Sequence, residues 1–206
     1  MQSDSRGNTL RRITKAALGG VASCALILGG TQAATGLAPN MTYTWDGPLS
    51  DLRPDVPGGP LVAASASLQI KESPDEGTGF ILRVTGINVS EAKPEFGAHL
   101  HVGPCTERVV LPTDPGVSPD TTGGHYNSDG QWASRANEVW FTLATDDLGV
   151  ANDETWVSFN IKDTTSPGFM SIVLHELPTD PTTPKGVAGA REACLPVVVT
   201  GWAAPI

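Results

Sequence analysis

Short apolar stretches, separated by glycine, proline and polar turn residues, fill most of the chain after residue 60. Residues 80–85 and 156–161 alternate between two faces, as on half-buried strands. No window of ten or more residues carries the apolar stripe and caps of a helix. The pattern therefore predicts strands at 61–70, 80–89, 97–102, 139–144, 155–161, 169–175 and 195–202, with a short strand near 41–45.

Seven or eight strands joined by turns predict an all-β fold, an antiparallel sandwich or barrel. The composition agrees, because 23 glycines and 17 prolines in 206 residues favour a turn-rich β protein over a helix bundle. We assign this domain to residues 61–206 and read 34–60, rich in Gly, Pro and Asp, as an irregular N-terminal arm. The polar connections 103–124 and 176–189 are candidate functional loops.

The first 33 residues have the pattern of a secretory signal peptide. A basic start is followed by an apolar run over 16–28 and by small residues up to Ala33, where we predict cleavage. The run is shorter than the roughly 20 residues that span a bilayer. The chain is therefore predicted to be exported to the bacterial cell envelope or secreted. The residues before Cys24 also resemble a lipobox, so a lipoprotein anchored to the membrane through Cys24 is the alternative.

Net charge and cysteine content further narrow the classes of protein to which the chain could belong. The chain carries a net charge of −9, and loss of the leader, with four basic residues and one acidic residue, makes it −12. Such a charge argues against a general nucleic-acid binder, which needs a basic surface. Cys105 and Cys194 remain after export, and an even pair outside the cytoplasm is typical of a disulfide. Two free buried thiols are the alternative.

The chain has only four histidines, and all of them lie in the predicted β domain. His99 and His101 are two residues apart on a predicted strand, so their side chains share one face. His125 follows a pair of glycines, and His175 ends an apolar strand. Imidazole is a ligand for copper, zinc, iron and nickel, although any one of these histidines alone is more often a satisfied polar residue.

Four fragments in order resemble the copper/zinc superoxide dismutase family. They are GAHLH at 97–101 with Cys105 after it, GGHYN at 123–127, VLHE at 173–176 and GAREAC at 189–194. The likeness covers about residues 61–200. Any fragment alone is a weak signal, whereas four in the same order are specific.

The resemblance implies a role for each matching residue. His99, His101, His125 and His175 match the family's copper ligands, with one copper per chain, and His125 matches the proton carrier. Cys105 and Cys194 match its disulfide. Arg191 matches the arginine that attracts and orients the superoxide anion. The implied fold is an eight-stranded, Greek-key, immunoglobulin-like β-barrel or flattened sandwich with long functional loops.

The chain departs from the family at its zinc site, because no histidine is left to build one. Asp129 and Glu138 are the only carboxylates in 128–143, and zinc needs four ligands. We therefore expect no zinc, as in the copper-only branch of the family. In that branch a carboxylate can hold the far nitrogen of the shared histidine, and Glu138 and Asp129 are the candidates.

The sequence thus predicts an exported copper-dependent superoxide dismutase, an antioxidant enzyme that converts two superoxide anions to oxygen and hydrogen peroxide. A copper-binding or copper-delivery module on the same fold is the alternative. A structural or adhesive β-sandwich with leftover histidines is a third reading. The oligomeric state and the role of residues 34–60 stay open.

Overall fold

The computed structural model describes residues 41–54, 58–73, 75–90, 95–106, 121–131, 133–161, 169–183 and 185–198. The predicted signal peptide and Cys24 lie outside these residues. The described part contains nine strands and no helix. They are β1 Met41–Pro48, β2 Ser50–Asp51, β3 Ser65–Ser73, β4 Gly77–Thr85, β5 Glu95–His101, β6 Trp140–Ala144, β7 Val150–Val157, β8 Phe169–His175 and β9 Arg191–Val198.

The strands form two antiparallel sheets, so the all-β prediction is confirmed. The four-stranded sheet has the order β1-β3-β4-β7, and the five-stranded sheet has the order β2-β9-β8-β5-β6. Among the described strands the sheets do not close on each other, so the architecture is compatible with a sandwich and not with a closed barrel. The predicted count of eight is exceeded because the two-residue β2 pairs with β9.

Alternation along the strands builds the core between the sheets. On β5, Phe96 and Leu100 are fully buried on the inner face. Phe80 of β4 packs edge to face against Phe141 of β6, with ring centroids 6.4 Å apart. Since successive side chains point to opposite faces, His99 and His101 point away from this core. The hydrophobic pattern therefore determines which face of β5 is available to a site.

Several predicted strand bounds differ from the structure. β4 is Gly77–Thr85 where 80–89 was expected, and β9 is Arg191–Val198 where 195–202 was expected. β3 begins at Ser65 because residues 61–63 form a turn, in which the amide of Ala64 donates to the carbonyl of Leu61. β7 ends at Val157, whereas a strand was expected at 155–161. β7 is the outer strand next to β4 and carries polar residues over 152–154, as edge strands do. Its weak hydrophobic alternation therefore concealed it.

Residues 41–51 are more regular than the predicted arm. β1 pairs with β3 along its whole length, from Met41 opposite Glu72 to Pro48 opposite Ser65. Ser50 and Asp51, which form β2, pair with β9 of the other sheet. This segment thus contributes an edge strand to each sheet. No helix in the described part of the chain has the length and hydrophobicity needed to cross a membrane.

Candidate metal site

The four histidines come together on the outer face of the five-stranded sheet. β5 supplies His99 and His101, whose rings lie 6.4 Å apart at an interplanar angle of 21°. His175 ends β8, the strand that pairs with β5. His125 lies in the loop before β6 and forms an isolated backbone bridge with His101. One potential ligand nitrogen from each histidine lies within 4.8 Å of the others.

The turn at Gly123 lets the chain bring His125 to this face. Gly123 has a φ of +72°, a left-handed conformation that favours glycine. The amide of Val102 then donates to the carbonyl of Gly124 (3.1 Å), and the amide of Tyr126 donates to the carbonyl of Leu100 (2.7 Å). These two bonds fasten the segment antiparallel to the end of β5. A Cβ added at Gly123 would lie 3.3 Å from Val102 Cγ2, whereas one at Gly124 would meet open space. Of the two glycines, Gly123 is therefore the one that this path requires.

Each histidine has one ring nitrogen within hydrogen-bonding distance of a protein acceptor. The pairs are His99 Nε2 with Thr179 Oγ1 (3.0 Å), His101 Nδ1 with the Gly123 carbonyl (3.0 Å), His125 Nδ1 with Glu138 Oε2 (2.8 Å) and His175 Nδ1 with the Gly189 carbonyl (3.3 Å). A carbonyl only accepts, so the histidine is the donor there. Thr179 already donates to the Phe141 carbonyl, so its oxygen accepts from His99.

These bonds determine which nitrogen of each ring is available as a ligand. With Nε2 protonated, His99 offers the lone pair of Nδ1, whereas the other three rings offer Nε2. His99 Nδ1 and His101 Nε2 are buried and have no hydrogen-bond partner in the described structure. Buried polar atoms are normally satisfied. A cation bound between the rings would satisfy both, so the residues present fit a metal ion.

The protonation state of the buried pair also suits a metal. Burial, followed by the neighbouring histidines, lowers the pKa of His101 to about 3. Burial, followed by the charges of His175 and His125, holds the pKa of His99 far below its usual range. Both imidazoles are therefore neutral at physiological pH. Metal ligation requires this form, because a protonated nitrogen has no lone pair to donate.

Arg191 lies beside the cluster. It begins β9 directly opposite His175. Its guanidinium donates to Thr122 Oγ1 (2.9 Å) and to the Gly123 carbonyl (2.8 Å). Arg191, Lys185, His125 and His175 line one open cleft of about 540 Å³. His99 lines it as well, so two cations and three of the four potential ligands share one solvent-accessible space.

Of the two predicted carboxylates, only Glu138 contacts the cluster. It is 3% exposed and accepts from His125. Asp129 is exposed and accepts instead from the Gln131 amide and from Asn137 Nδ2. These hydrogen bonds lower the pKa of the Asp129 carboxyl. Asp129 thus braces the loop that leads to Glu138 and makes no contact with a histidine ring.

Cys105 and Cys194 form a disulfide, which confirms that prediction. Their Cα atoms are 5.9 Å apart. Cys194 on β9 is fully buried and packs with Val173 and Leu52. The bond joins the segment after β5 to β9, which is separated from β5 by one strand, β8, in the same sheet. It thereby restrains the chain just after His101.

Two residues that touch the cluster were missed by sequence reasoning. Thr179 accepts from His99, and Trp140 packs 5.9 Å from the His99 ring. Trp140 could have been found, because the strand predicted at 139–144 contains it. Thr179 had no signal, since it lies in an irregular stretch 80 residues from its partner. Comparison with known proteins finds no family model that matches the chain and no significantly similar curated protein.

Proposed function

We propose that the protein is an exported, copper-dependent superoxide dismutase without zinc, similar to the copper-only branch of the family. The observation that carries the proposal is the convergence of four oriented imidazoles beside Arg191 at one cleft. The sheet orders, which place strands distant in sequence next to each other, also suit the proposed Greek-key, immunoglobulin-like connectivity. The disulfide supports export, because such bonds persist in oxidising compartments.

Four imidazole nitrogens are a suitable donor set for copper, which binds nitrogen sites more strongly than other divalent metals of the first transition row. Bound copper would supply one-electron chemistry, accepting an electron from one superoxide and returning it to a second. The protein's task is then to hold the ion, bring the anion to it and supply protons.

Arg191 is suited to binding the anion. Its two hydrogen bonds to Thr122 and Gly123 fix the guanidinium at the cleft beside His175. Lys185 adds a second positive charge on the cleft wall. The net charge of −9 disfavours approach of an anion from afar. Local cations can nevertheless focus an anion at one point of the surface.

His125 is suited to carrying the proton. It is the least buried of the four histidines, with a side chain 20% exposed, so its ring can exchange protons with solvent. Its Nδ1–H is held by the Glu138 carboxylate. The Nε2 atom therefore faces the cluster and is the atom at which a proton would be received and delivered.

Metal analysis combined with a dismutation assay tests the proposal. We expect the purified chain to bind about one copper per molecule and to dismutate superoxide far faster than the same amount of copper with an unrelated protein. The His125→Ala variant should lose most of this rate. Equal rates for the copper-loaded wild type and the variant, at equal copper content, would contradict the proposal.

A copper-binding or copper-delivery module is the second candidate function. The open cleft of about 540 Å³ favours it, because a far smaller channel admits a diatomic anion and an open site lets a partner reach the ion. This function predicts tight copper binding, negligible dismutation and transfer of copper to a metal-free acceptor. Rapid dismutation with copper retained during dialysis against a chelator would count against it.

A further inference from the structure

Trp140 lies next to the histidine cluster, on the strand that pairs with β5. β6 pairs with β5 so that Trp140 lies directly opposite His99. The side chain is 3% exposed, and its ring centroid is 5.9 Å from that of His99. A buried indole N–H normally has a hydrogen-bond acceptor. The identity of that acceptor links Trp140 to a second histidine.

The acceptor is the same carboxylate oxygen that holds His125. Trp140 Nε1 donates to Glu138 Oε2 at 2.7 Å, and His125 Nδ1 donates to this oxygen at 2.8 Å. A carboxylate oxygen has two lone pairs, so it can accept both bonds. The Glu138 side chain has three rotatable bonds, and these two hydrogen bonds hold it in one orientation, with Oε2 facing His125.

We propose that Trp140 is a positioning residue of the metal site. Its N–H fixes Glu138 Oε2 in front of His125, which keeps the proton on Nδ1 and directs Nε2 toward the other three histidines. Loss of such an outer hydrogen bond typically weakens metal binding by about 10- to 100-fold. This inference rests on the metal site of the proposed function, but not on the identity of the metal or on turnover.

Trp140 also has a packing role, and the two roles must be separated. Gly186 has a φ of +53°, and a Cβ added there would lie 2.8 Å from the indole ring. The ring therefore supports the cleft wall that includes Lys185 and Val187. A packing role alone requires the size of the ring. The positioning role requires its N–H.

The first measurement is the affinity for Cu²⁺, obtained by competition with a chelator. Trp140→Phe removes the donor and keeps an aromatic ring. Trp45→Phe is the matched control, because Trp45 is a half-buried tryptophan on β1 of the other sheet. We expect an affinity loss of about tenfold for Trp140→Phe and no change for Trp45→Phe. Equal effects of the two substitutions would overturn the proposal.

The second measurement separates the N–H from ring size. Benzothienylalanine at position 140 replaces the indole N–H with sulfur at nearly constant shape, so the fold and the cleft wall are retained. In the metal-free protein we expect the Nδ1–H proton signal of His125 to shift or disappear, as it should in Glu138→Gln. An unchanged signal with benzothienylalanine would overturn the proposal.

The two measurements also distinguish this inference from the proposed function. If the wild type fails to bind copper, the proposed function fails, whereas the His125 proton signal of the metal-free protein still decides what Trp140 does. If copper binds and the signal is insensitive to the loss of the indole N–H, only the role of Trp140 is refuted.

Discussion

At the scale of single residues, the four histidines differ in the chemical group that accepts a hydrogen bond from each ring. His101 and His175 donate to backbone carbonyls, His99 to a hydroxyl and His125 to a carboxylate. Backbone acceptors and a buried hydroxyl fix ring orientation without adding charge. A carboxylate also stabilises positive charge on the ring it holds. His125 is therefore distinct within the set, and it is also the most exposed of the four.

Arg191 is the residue whose role is tested most directly by substitution. We expect Arg191→Gln to lower the second-order rate of superoxide dismutation about tenfold, because it removes the local positive charge that steers and orients the anion. Copper content should stay the same, since the guanidinium is not a metal ligand. Arg191→Lys, which keeps the charge and loses the planar fork, should give an intermediate rate.

The control for this substitution is Arg83→Gln, which changes the net charge equally at an exposed position on β4 of the other sheet. Rates are compared over a range of ionic strength, because screening weakens steering. Equal losses for Arg83→Gln and Arg191→Gln would show that overall charge, and not the position of Arg191, controls the rate.

At the scale of elements, β5 and its neighbours organise the site. β5 is paired on both sides, by β6 and β8, so its two histidines lie on an interior strand of the sheet. The loop after β8 folds back over this face. The amide of Gly97 donates to the Leu177 carbonyl (2.8 Å), and the amide of Leu177 donates to the Ala188 carbonyl (2.8 Å). The ligands are thus covered by loops tied to the strand that bears them.

The disulfide between Cys105 and Cys194 predicts a measurable restraint. It closes a loop with a sequence separation of 89, for which chain entropy gives a stabilisation of about 4–5 kcal/mol. We expect the double variant Cys105→Ala, Cys194→Ala to lose stability by about this amount in urea unfolding. It should also bind copper more weakly, because the segment after His101 is released.

A reducing agent provides the control for the disulfide prediction. Reduction should bring the wild type to the unfolding midpoint of the double variant and leave the double variant unchanged. If reduction leaves the wild-type midpoint where it was, although free thiols have appeared, the restraint contributes nothing to stability.

At the scale of the whole molecule, the site and the core lie on opposite faces of one sheet. The main core fills the space between the sheets, whereas the histidines point outward and are buried by loops. Phe96 and Leu100 therefore anchor β5 while His99 and His101 remain available for chemistry. As a consequence, the imidazoles of His99 and His101 are buried away from water, and this burial disfavours their protonated form.

Burial of these two histidines predicts that the stability of the metal-free protein depends on pH. The unfolded chain binds protons at its histidines near pH 6.5, whereas burial lowers the folded pKa of His101 to about 3 and that of His99 further. The unfolded state therefore binds more protons below pH 6.5, and stability falls as the pH falls from there toward 3. The slope should be on the order of 1 kcal/mol per pH unit for each group.

Urea midpoints measured in a chelator between pH 7 and pH 5.5 check this, because most carboxylates stay ionised in that range. A midpoint that stays constant or rises as the pH falls would contradict the expectation. Added copper should raise the midpoint at pH 7, since a ligand that binds only the folded state stabilises it.

The sequence by itself determined the all-β class, the shared face of His99 and His101, and the two cysteines as a candidate pair. It could do so because strand alternation and residue type are local properties. Four spaced fragments also identified the four histidines and Arg191 as one candidate set. The first part of β7, residues 150–154, escaped, because its polar residues weaken the alternation on which the prediction depends.

Only the tertiary structure decided what surrounds the candidate ligands. It selected Glu138 over Asp129 as the partner of His125, brought Thr179 to His99 across 80 residues of sequence, and placed Trp140 on the same carboxylate. The physical reason is that hydrogen bonds between distant segments depend on strand register and loop path. Neither of these is encoded in the residue type or in the local spacing of the groups that meet.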